Sequence, residues 1–360
     1  MLAEVPRQVK TTTKPRTNEP FEISWSLASP TVESLIGEAL RCEERGLDGI
    51  WFPDHEAPRP KWPELYVTLS AIATQARSVR LGSMVTDVLR RHPVVTAHAF
   101  ASLSHMAPGR VILGLGAGGG PSQSPFGVSL DHSVGRLDEG IRVIRALWGA
   151  EKERADFSGR YFALKGAQPP LFPQTEIPVY VASYGPRMLS LTAQLADGWL
   201  PESHTPETYR KTLLSIHARM KKFGRNPRSL HACCASIFYP WNPDERAFSR
   251  LLRAAKRYLA DAPDIQWAAG VGEDHPRLRA HEVEKDPELL ERLMSRVPDR
   301  LAEATLVYGE RTQCYEKLSR MREAGCMEAI LEPYWIEKER LTEGIDVAGQ
   351  IRSLLLRENP

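Results

Sequence analysis

The sequence is short of net charge: 47 Lys and Arg stand against 45 Asp and Glu, leaving +2 over 360 residues. Without a field of one sign it has no electrostatic footprint for nucleic acid or an anionic membrane surface, and neither is expected as a partner. It also lacks any uncharged apolar run near the roughly 20 residues a membrane span needs. The opening stretch MLAEVPRQVKTTTKPRTNEP has no apolar core of the kind a secretory leader carries, so a cytoplasmic location is expected. Cysteine is scarce too. The five present (Cys42, Cys233, Cys234, Cys314, Cys326) are odd in number, scattered and without a CxxC pair. That excludes a disulfide framework and a zinc site, and no metal is expected.

What is abundant is core material: 42% of the residues are hydrophobic and 26% charged, the balance of a globular chain. The length allows two domains or one α/β barrel. Residues 1–20 are polar, with Thr11 to Thr13 and three prolines, and read as a tail. Residues 21–360 then read as one domain. Short β-branched or aromatic runs alternate with stretches of helical period: EISWSL (22–27), DGIWFP (48–53), VRLGSMVT (79–86), RVILGLG (110–116), IPVYVAS (177–183), DGWLPE (197–202), HACCASIFY (231–239) and CMEAILEPY (326–334). Helices are expected over 32–46, 63–77, 93–106, 133–149, 186–196, 206–223, 243–260 and 311–324. Eight such units without a composition break favour a closed (β/α)8 TIM barrel over a doubly wound sheet. Only the last strand lacks a clear following helix. Segment 261–310, rich in Gly and Pro, fits no single unit and reads as an insertion on the face formed by the carboxyl ends of the strands, where a long loop can serve as a lid or be a plain excursion.

Three places carry chemistry. Gly114, Gly116 and Gly119 spell a literal GxGxxG after a strand, but Pro121 and Pro125 stand where a pyrophosphate-binding helix would begin, so the dinucleotide reading fails. What remains is side-chain-free backbone that can approach a flat ring or a phosphate, or a mere loop. Asp54-His55 ends the second strand, which puts an imidazole on the barrel's catalytic rim, where it can polarise a carbonyl or exchange a proton. Glu56 next to it suggests HExxH, but position 59 is Arg59, so that zinc motif is absent. Tyr184-Gly185-Pro186-Arg187 opens a helix whose exposed N–H groups, with Ser183 and Arg187, suit a phosphate; an ordinary helix start is an equal reading of this segment alone. Cys233 and Cys234 sit side by side on a strand and read as packing residues on opposite faces. No nucleophile elbow, P-loop lysine or separated acidic pair in a convincing context is visible, which argues against hydrolase and kinase chemistry.

GLDGIWFPDH (46–55), VRLGSMVTDVLRRHPVVTAHAFASLSHMAPGRVILGLGAG (79–118), RLDEGIRVIRALW (136–148) and IPVYVASYGPRMLSLTAQLADGWLP (177–201) together resemble the bacterial-luciferase-like superfamily of flavin and deazaflavin enzymes. Within it the chain is most similar to the branch using coenzyme F420, of the methylenetetrahydromethanopterin reductase and phthiodiolone dimycocerosate ketoreductase type. The likeness is strong over about 22–225 and fainter through 306–335. It implies a cofactor ring lying at the carboxyl ends of the strands. His55 matches the histidine facing cofactor and substrate, with Asp54 before it as the second catalytic residue. Met84-Val85 falls where relatives have a non-proline cis peptide backing the ring, and Thr86 should reach its polar edge. Gly116, Ala117, Gly118 and the polar Ser122 or Gln123 would flank ring and ribityl chain. Ala182, Ser183, Tyr184 and Gly185 match the phosphate-holding turn.

Two departures stand out. The sugar-phosphate dehydrogenases of this branch carry an acidic residue just after the glycine run and a tryptophan just after the histidine, whereas Gly119 and Arg59 stand near those places here. Oxidation of glucose 6-phosphate by their mechanism is therefore not expected. The resemblance implies an oxidoreductase passing a hydride between the deazaflavin C5 and a carbonyl, imine or activated alkene of a small organic substrate. An FMN-dependent monooxygenase using molecular oxygen is the alternative, and a non-catalytic partner subunit a second one. Dimerisation is the family habit, so a homodimer is implied. Trp62 and Trp267 are candidate pocket walls or surface packing.

Overall fold

The computed structural model describes residues 20–55, 62–119, 126–151, 153–260 and 287–357. Eight of its strands are parallel and close into a barrel. In chain order they are β1 (Glu22–Ser26), β2 (Gly49–Phe52), β3 (Arg80–Ser83) and β4 (Val111–Leu115), then, past a hairpin of β5 (Ala155–Ser158) and β6 (Ala163–Ala167), β7 (Val179–Val181), β8 (Gly198–Trp199) and β9 (His231–Tyr239). A short β10 (Val307–Tyr308) adds to β9, and β11 (Glu328–Glu332) completes the ring. Each strand bonds to its successor, β9 bonds to both β8 and β11, and β11 bonds to β1, so no barrel edge is left open.

Helices α1 (Val32–Glu44), α2 (Leu65–Ala73), α3 (Pro93–Met106), α4 (Ser133–Trp148), α5 (Gly185–Leu195), α6 (Pro206–Lys222), α7 (Glu245–Ala260), α8 (Pro287–Arg296), α9 (Asp299–Thr305), α10 (Arg311–Glu323) and α11 (Leu341–Arg357) cover the outside. Their starts are chemically marked. Thr31 and Ser34 form a capping box at α1, Thr205 and Thr208 another at α6, and Pro93 opens α3 behind the His92 cap.

Strand alternation divides the core into two shells. Trp51, Ile112, Tyr180, Cys233, Ala235 and Ile330 point into the barrel, while Ile50, Phe52, Leu113, Val179, Val181, Cys234 and Leu331 point out under the helices. Cys233 and Cys234 thus occupy opposite faces, and all five cysteines are free and buried. At the amino end of the strands the barrel is plugged by charge. Glu328 is fully buried and accepts hydrogen bonds from Ser24 Oγ (2.5 Å), Trp51 Nε1 (2.9 Å) and His231 Nε2 (3.2 Å), with Arg80 Nη2 at 3.3 Å. Glu22 reaches both Arg80 and His231.

Two features differ from the sequence expectation. The irregular link before 177 folds into the β5–β6 hairpin. The eighth strand does have its helix, α11, delayed by a turn and so out of step with the pattern. The expected insertion 261–310 is described from 287 onward, where α8 and α9 pack against α7; residues 261–286, like 1–19, lie outside the described residues. Among the described residues no helix is long and apolar enough to cross a membrane.

Candidate active site

A cavity of about 850 Å³ opens at the carboxyl ends of the barrel strands, within the range of small-molecule sites. Its walls come from successive strand ends. From β2 come Asp54 and His55, with Trp62 beyond. The His55 and Trp62 rings lie 5.6 Å apart at 30°. Trp62 therefore takes a place beside the histidine that Arg59 left unfilled in the sequence. Asp54 is 4% exposed and its carboxylate is held by Arg90 Nη2 at 2.9 Å and by Arg91. Arg91 in turn pairs with Glu64 at 2.7 Å and lies over the Tyr66 ring. Asp54 is thus ion-paired directly before His55 in the chain.

From β3 and β4 come a bulge and a glycine run. The Met84–Val85 peptide is cis, as the resemblance implies, and both residues line the cavity. Glycine here is a matter of space: a Cβ on Gly114 would overlap the Ser83 carbonyl oxygen, and one on Gly116 would lie 2.7 Å from Val85 Cγ2. Thr86 closes the bulge by donating its N–H to the Gly114 oxygen and accepting from the Gly116 N–H. Thr86, Gly116, Ala117 and Gly118 all face the cavity, Gly118 with φ +90°. Ser122 and Gln123 lie outside the described residues, as does Trp267.

From β7 and α5 come Ala182, Tyr184 and Arg187. The N-cap Tyr184 gives the helix no side-chain hydrogen bond, and Gly185 at its first position has φ +79°. That suits an anion. Ser183 is nearly fully buried and its Oγ accepts from Thr192 Oγ1 at 2.9 Å, behind the turn rather than in the cavity. The Tyr184 hydroxyl accepts from the Glu202 N–H at 2.8 Å and donates to the Glu202 carbonyl, tying the turn to the end of β8. A second hollow of about 640 Å³ shares Arg187, Val134, Gly135 and Tyr161 with the first, and adds Arg160 and Arg219. Its acidic neighbours are engaged elsewhere: Glu139 accepts three backbone N–H groups of 160–162, and Asp138 pairs with Arg142.

Sequence reasoning missed the acidic pair. Glu202 and Glu332 both line the cavity, at the ends of β8 and β11. They flank β9, on which Ala235, opposite Glu202, is too small to screen one carboxyl from the other. Burial and the charge of Glu202 push the Glu332 carboxyl well up. The available signal was position: a carboxylate ending a barrel strand, as His55 does.

A family model described as luciferase-like monooxygenase matches residues 13–328. A 5,10-methylenetetrahydromethanopterin reductase of Methanolobus tindarius is 30% identical over 250 residues, 68% of this chain and 73% of that protein. An F420-dependent glucose-6-phosphate dehydrogenase of Kineococcus radiotolerans is 36% identical over 192 residues, 50% of this chain and 56% of that protein. Among solved structures, an F420-dependent secondary alcohol dehydrogenase superposes with TM-score 0.74 at 20% identity, covering 92% of this chain and 98% of that one. A long-chain alkane monooxygenase superposes with TM-score 0.69 at 15% identity over 95% and 92%. These two likenesses speak for the barrel fold.

Proposed function

The chain belongs to the luciferase-like monooxygenase family, and from that premise we propose that it is an F420-dependent oxidoreductase, passing a hydride between the deazaflavin C5 and a carbonyl, imine or activated alkene of a small organic substrate. The residues fit such a cofactor. Gly116 and Gly118 leave room for a flat ring against the Met84–Val85 bulge, Thr86 offers a polar edge, and the α5 amides with Arg187 suit a phosphate. The observation that favours F420 over FMN is the arginine-lined hollow beyond Arg187. FMN ends at its phosphate, whereas F420 continues into an anionic oligoglutamyl tail for which Arg160 and Arg219 supply counter-charges.

When bound, the deazaflavin supplies or accepts the hydride. The protein's residues do the rest. His55 lines the cavity and donates a hydrogen bond or proton to a substrate oxygen on which charge develops. Asp54, clamped by Arg90 and Arg91, holds the strand end beneath it, and Trp62 packs against its ring. Together the strand ends place substrate and cofactor face to face.

The test is to titrate the protein with F420 and with FMN, following quenching of its eight tryptophans. F420 should bind, and Arg160→Gln/Arg219→Gln should weaken it about tenfold, the scale of two partly exposed charge contacts, while leaving FMN unchanged. Tight FMN binding without an F420 response would refute the proposal and favour the oxygen-using alternative.

A further inference from the structure

The tip of the β5–β6 hairpin lies far from where the hairpin starts. The link between α4 and β7 leaves from the amino end of the barrel: Arg145, in the last turn of α4, pairs with Asp197, whose carboxylate also accepts the N–H of Val179 at the start of β7. A direct link would stay at that end. Instead the chain climbs back along α4, and the hairpin tip, residues 159–162, reaches Gly135 and Glu139 in the first two turns of that helix, beside the cavity.

Glu139 holds the tip. Its Oε1 accepts the Arg160 N–H at 2.7 Å, and its Oε2 accepts those of Tyr161 and Phe162 at 2.8 and 3.0 Å. The turn closes so tightly on the carboxylate that a Cβ on Gly159 would overlap Oε2. Three N–H groups converging on one charged acceptor fix the backbone, and with it the places of two side chains. The Tyr161 ring lies against Gly135, where a Cβ would come within 2.9 Å of it. The guanidinium groups of Arg136 and Arg160 stand 5.2 and 5.4 Å from the centroid of that ring, and the His132 ring lies 5.7 Å away at 33°.

These side chains stand at a junction. Tyr161, Val134, Gly135 and Arg187 line both the cavity and the second hollow, and Arg160 lines the hollow. On the wall of the hollow, Arg219 donates to Ser190 Oγ at 2.7 Å, while its Nε is buried without a partner among the described residues. A buried guanidinium N–H left unmade is costly, and an acceptor brought by a ligand removes the cost.

We propose that the β5–β6 hairpin is a specificity arm: Glu139 is a positioning residue that cinches its tip, and the tip sets Tyr161 and Arg160 at the neck between cavity and hollow to select ligands that continue past their phosphate as an anionic chain. The proposal rests on the function above for the identity of that chain, an oligoglutamyl tail. Tyr161 gives the neck a fixed wall and aligns two guanidinium groups, and Arg160, Arg187 and Arg219 supply the charge. Glu139 acts only through the backbone it holds. It is itself a carboxylate on the wall of the hollow, so by charge alone it would repel an anionic chain. The sign of its effect therefore separates positioning from electrostatics: removing it loosens the chain if it positions the tip and tightens the chain if it acts through space.

The probes are F420 and the same deazaflavin cut off at its ribityl chain, titrated into the purified full chain by tryptophan quenching, and the readout is the ratio of the two affinities. Glu139→Ala should lower that ratio about fivefold, the upper scale of one partly exposed charge contact. Glu139→Gln keeps an oxygen for Tyr161 and Phe162 but turns its NH2 toward the Arg160 N–H, and should lower the ratio less. A ratio that stays the same or rises in Glu139→Ala, or two affinities that fall in step, would overturn the proposal. Hydrogen exchange of the wild type needs no variant to fold: F420 should slow exchange in the peptide covering 155–167 and the truncated deazaflavin should not, and equal effects would also overturn it. Tetra-γ-glutamate separates the two readings. A wild type that binds it, binds it more weakly in Glu139→Ala and ignores F420 refutes the hydride-transfer reading and leaves the arm standing. A wild type that binds F420 with a ratio indifferent to Glu139 does the reverse.

Discussion

Glu328→Gln replaces one oxygen of the barrel's charged plug with an amide and removes its negative charge. Five side chains converge on that carboxylate: Ser24, Trp51, Arg80, His231 and Cys233. The glutamate is fully buried, so water cannot replace what is lost. The substitution leaves Arg80 and His231 sharing Glu22 alone, and breaking a buried pair in this way costs about 3–5 kcal/mol. The sign of the pH dependence follows from the partners. Arg80 and His231 hold the Glu328 carboxyl far below its ordinary 4.5, so its contribution is present above that value and is lost as pH falls through the depressed one. Glu22 and Glu328 raise His231 above its ordinary 6.5 despite burial, so its contribution is complete below 6.5 and is lost as pH rises through the raised value. Both contributions are therefore complete between about 4.5 and 6.5, and the variant should lose most there. Urea unfolding at pH 5.5 and pH 8.5 measures this. A loss under about 1 kcal/mol at pH 5.5, or one that grows toward pH 8.5, would refute the reasoning. A zinc chelator should leave the wild-type midpoint unchanged, because the Cys233 thiol is pushed well up and stays protonated and Arg80 already neutralises Glu328.

Two further outcomes are expected. Gly116→Ala puts a methyl 2.7 Å from Val85 Cγ2, where ordinary contact begins near 3.4 Å, so the valine at the cavity wall must shift by several tenths of an ångström. Stability should fall by about 1–3 kcal/mol, and fluorescence titration should show at least tenfold weaker F420 binding; unchanged affinity would mean that the cofactor does not lie against Val85. His204 is 2% exposed and burial pushes it down to about 3, so the folded state keeps it neutral while the unfolded chain protonates near 6.5. Stability should fall as pH drops below 6.5, by about 2.7 kcal/mol at pH 4.5 from this group, and His204→Gln should flatten that limb of the acid-unfolding curve.

The barrel was legible in the sequence because each βα unit declares itself locally, by strand alternation, capping residues and proline at helix starts. Where local signals were weak, it was not. The β5–β6 hairpin carries few buried apolar residues, with Phe157 and Leu164 only half-buried, so no period stood out. His55 and the Met84–Val85 bulge were found because contiguous motifs announce them. Glu202 and Glu332 were not, because each reads alone as a charged residue beside a proline at the end of a strand. What gives them meaning is closure: β8 and β11 are far apart in the chain and become the two neighbours of β9. The same closure gathers Glu22, Arg80, His231 and Glu328, each the first residue of its strand, at the opposite end. The two ends carry the same kind of residue with opposite outcomes. At the amino end the carboxylates meet an arginine and a histidine, and the charge is spent on holding strands together. At the carboxyl end Glu202 and Glu332 line the cavity instead, and burial pushes the Glu332 carboxyl well up.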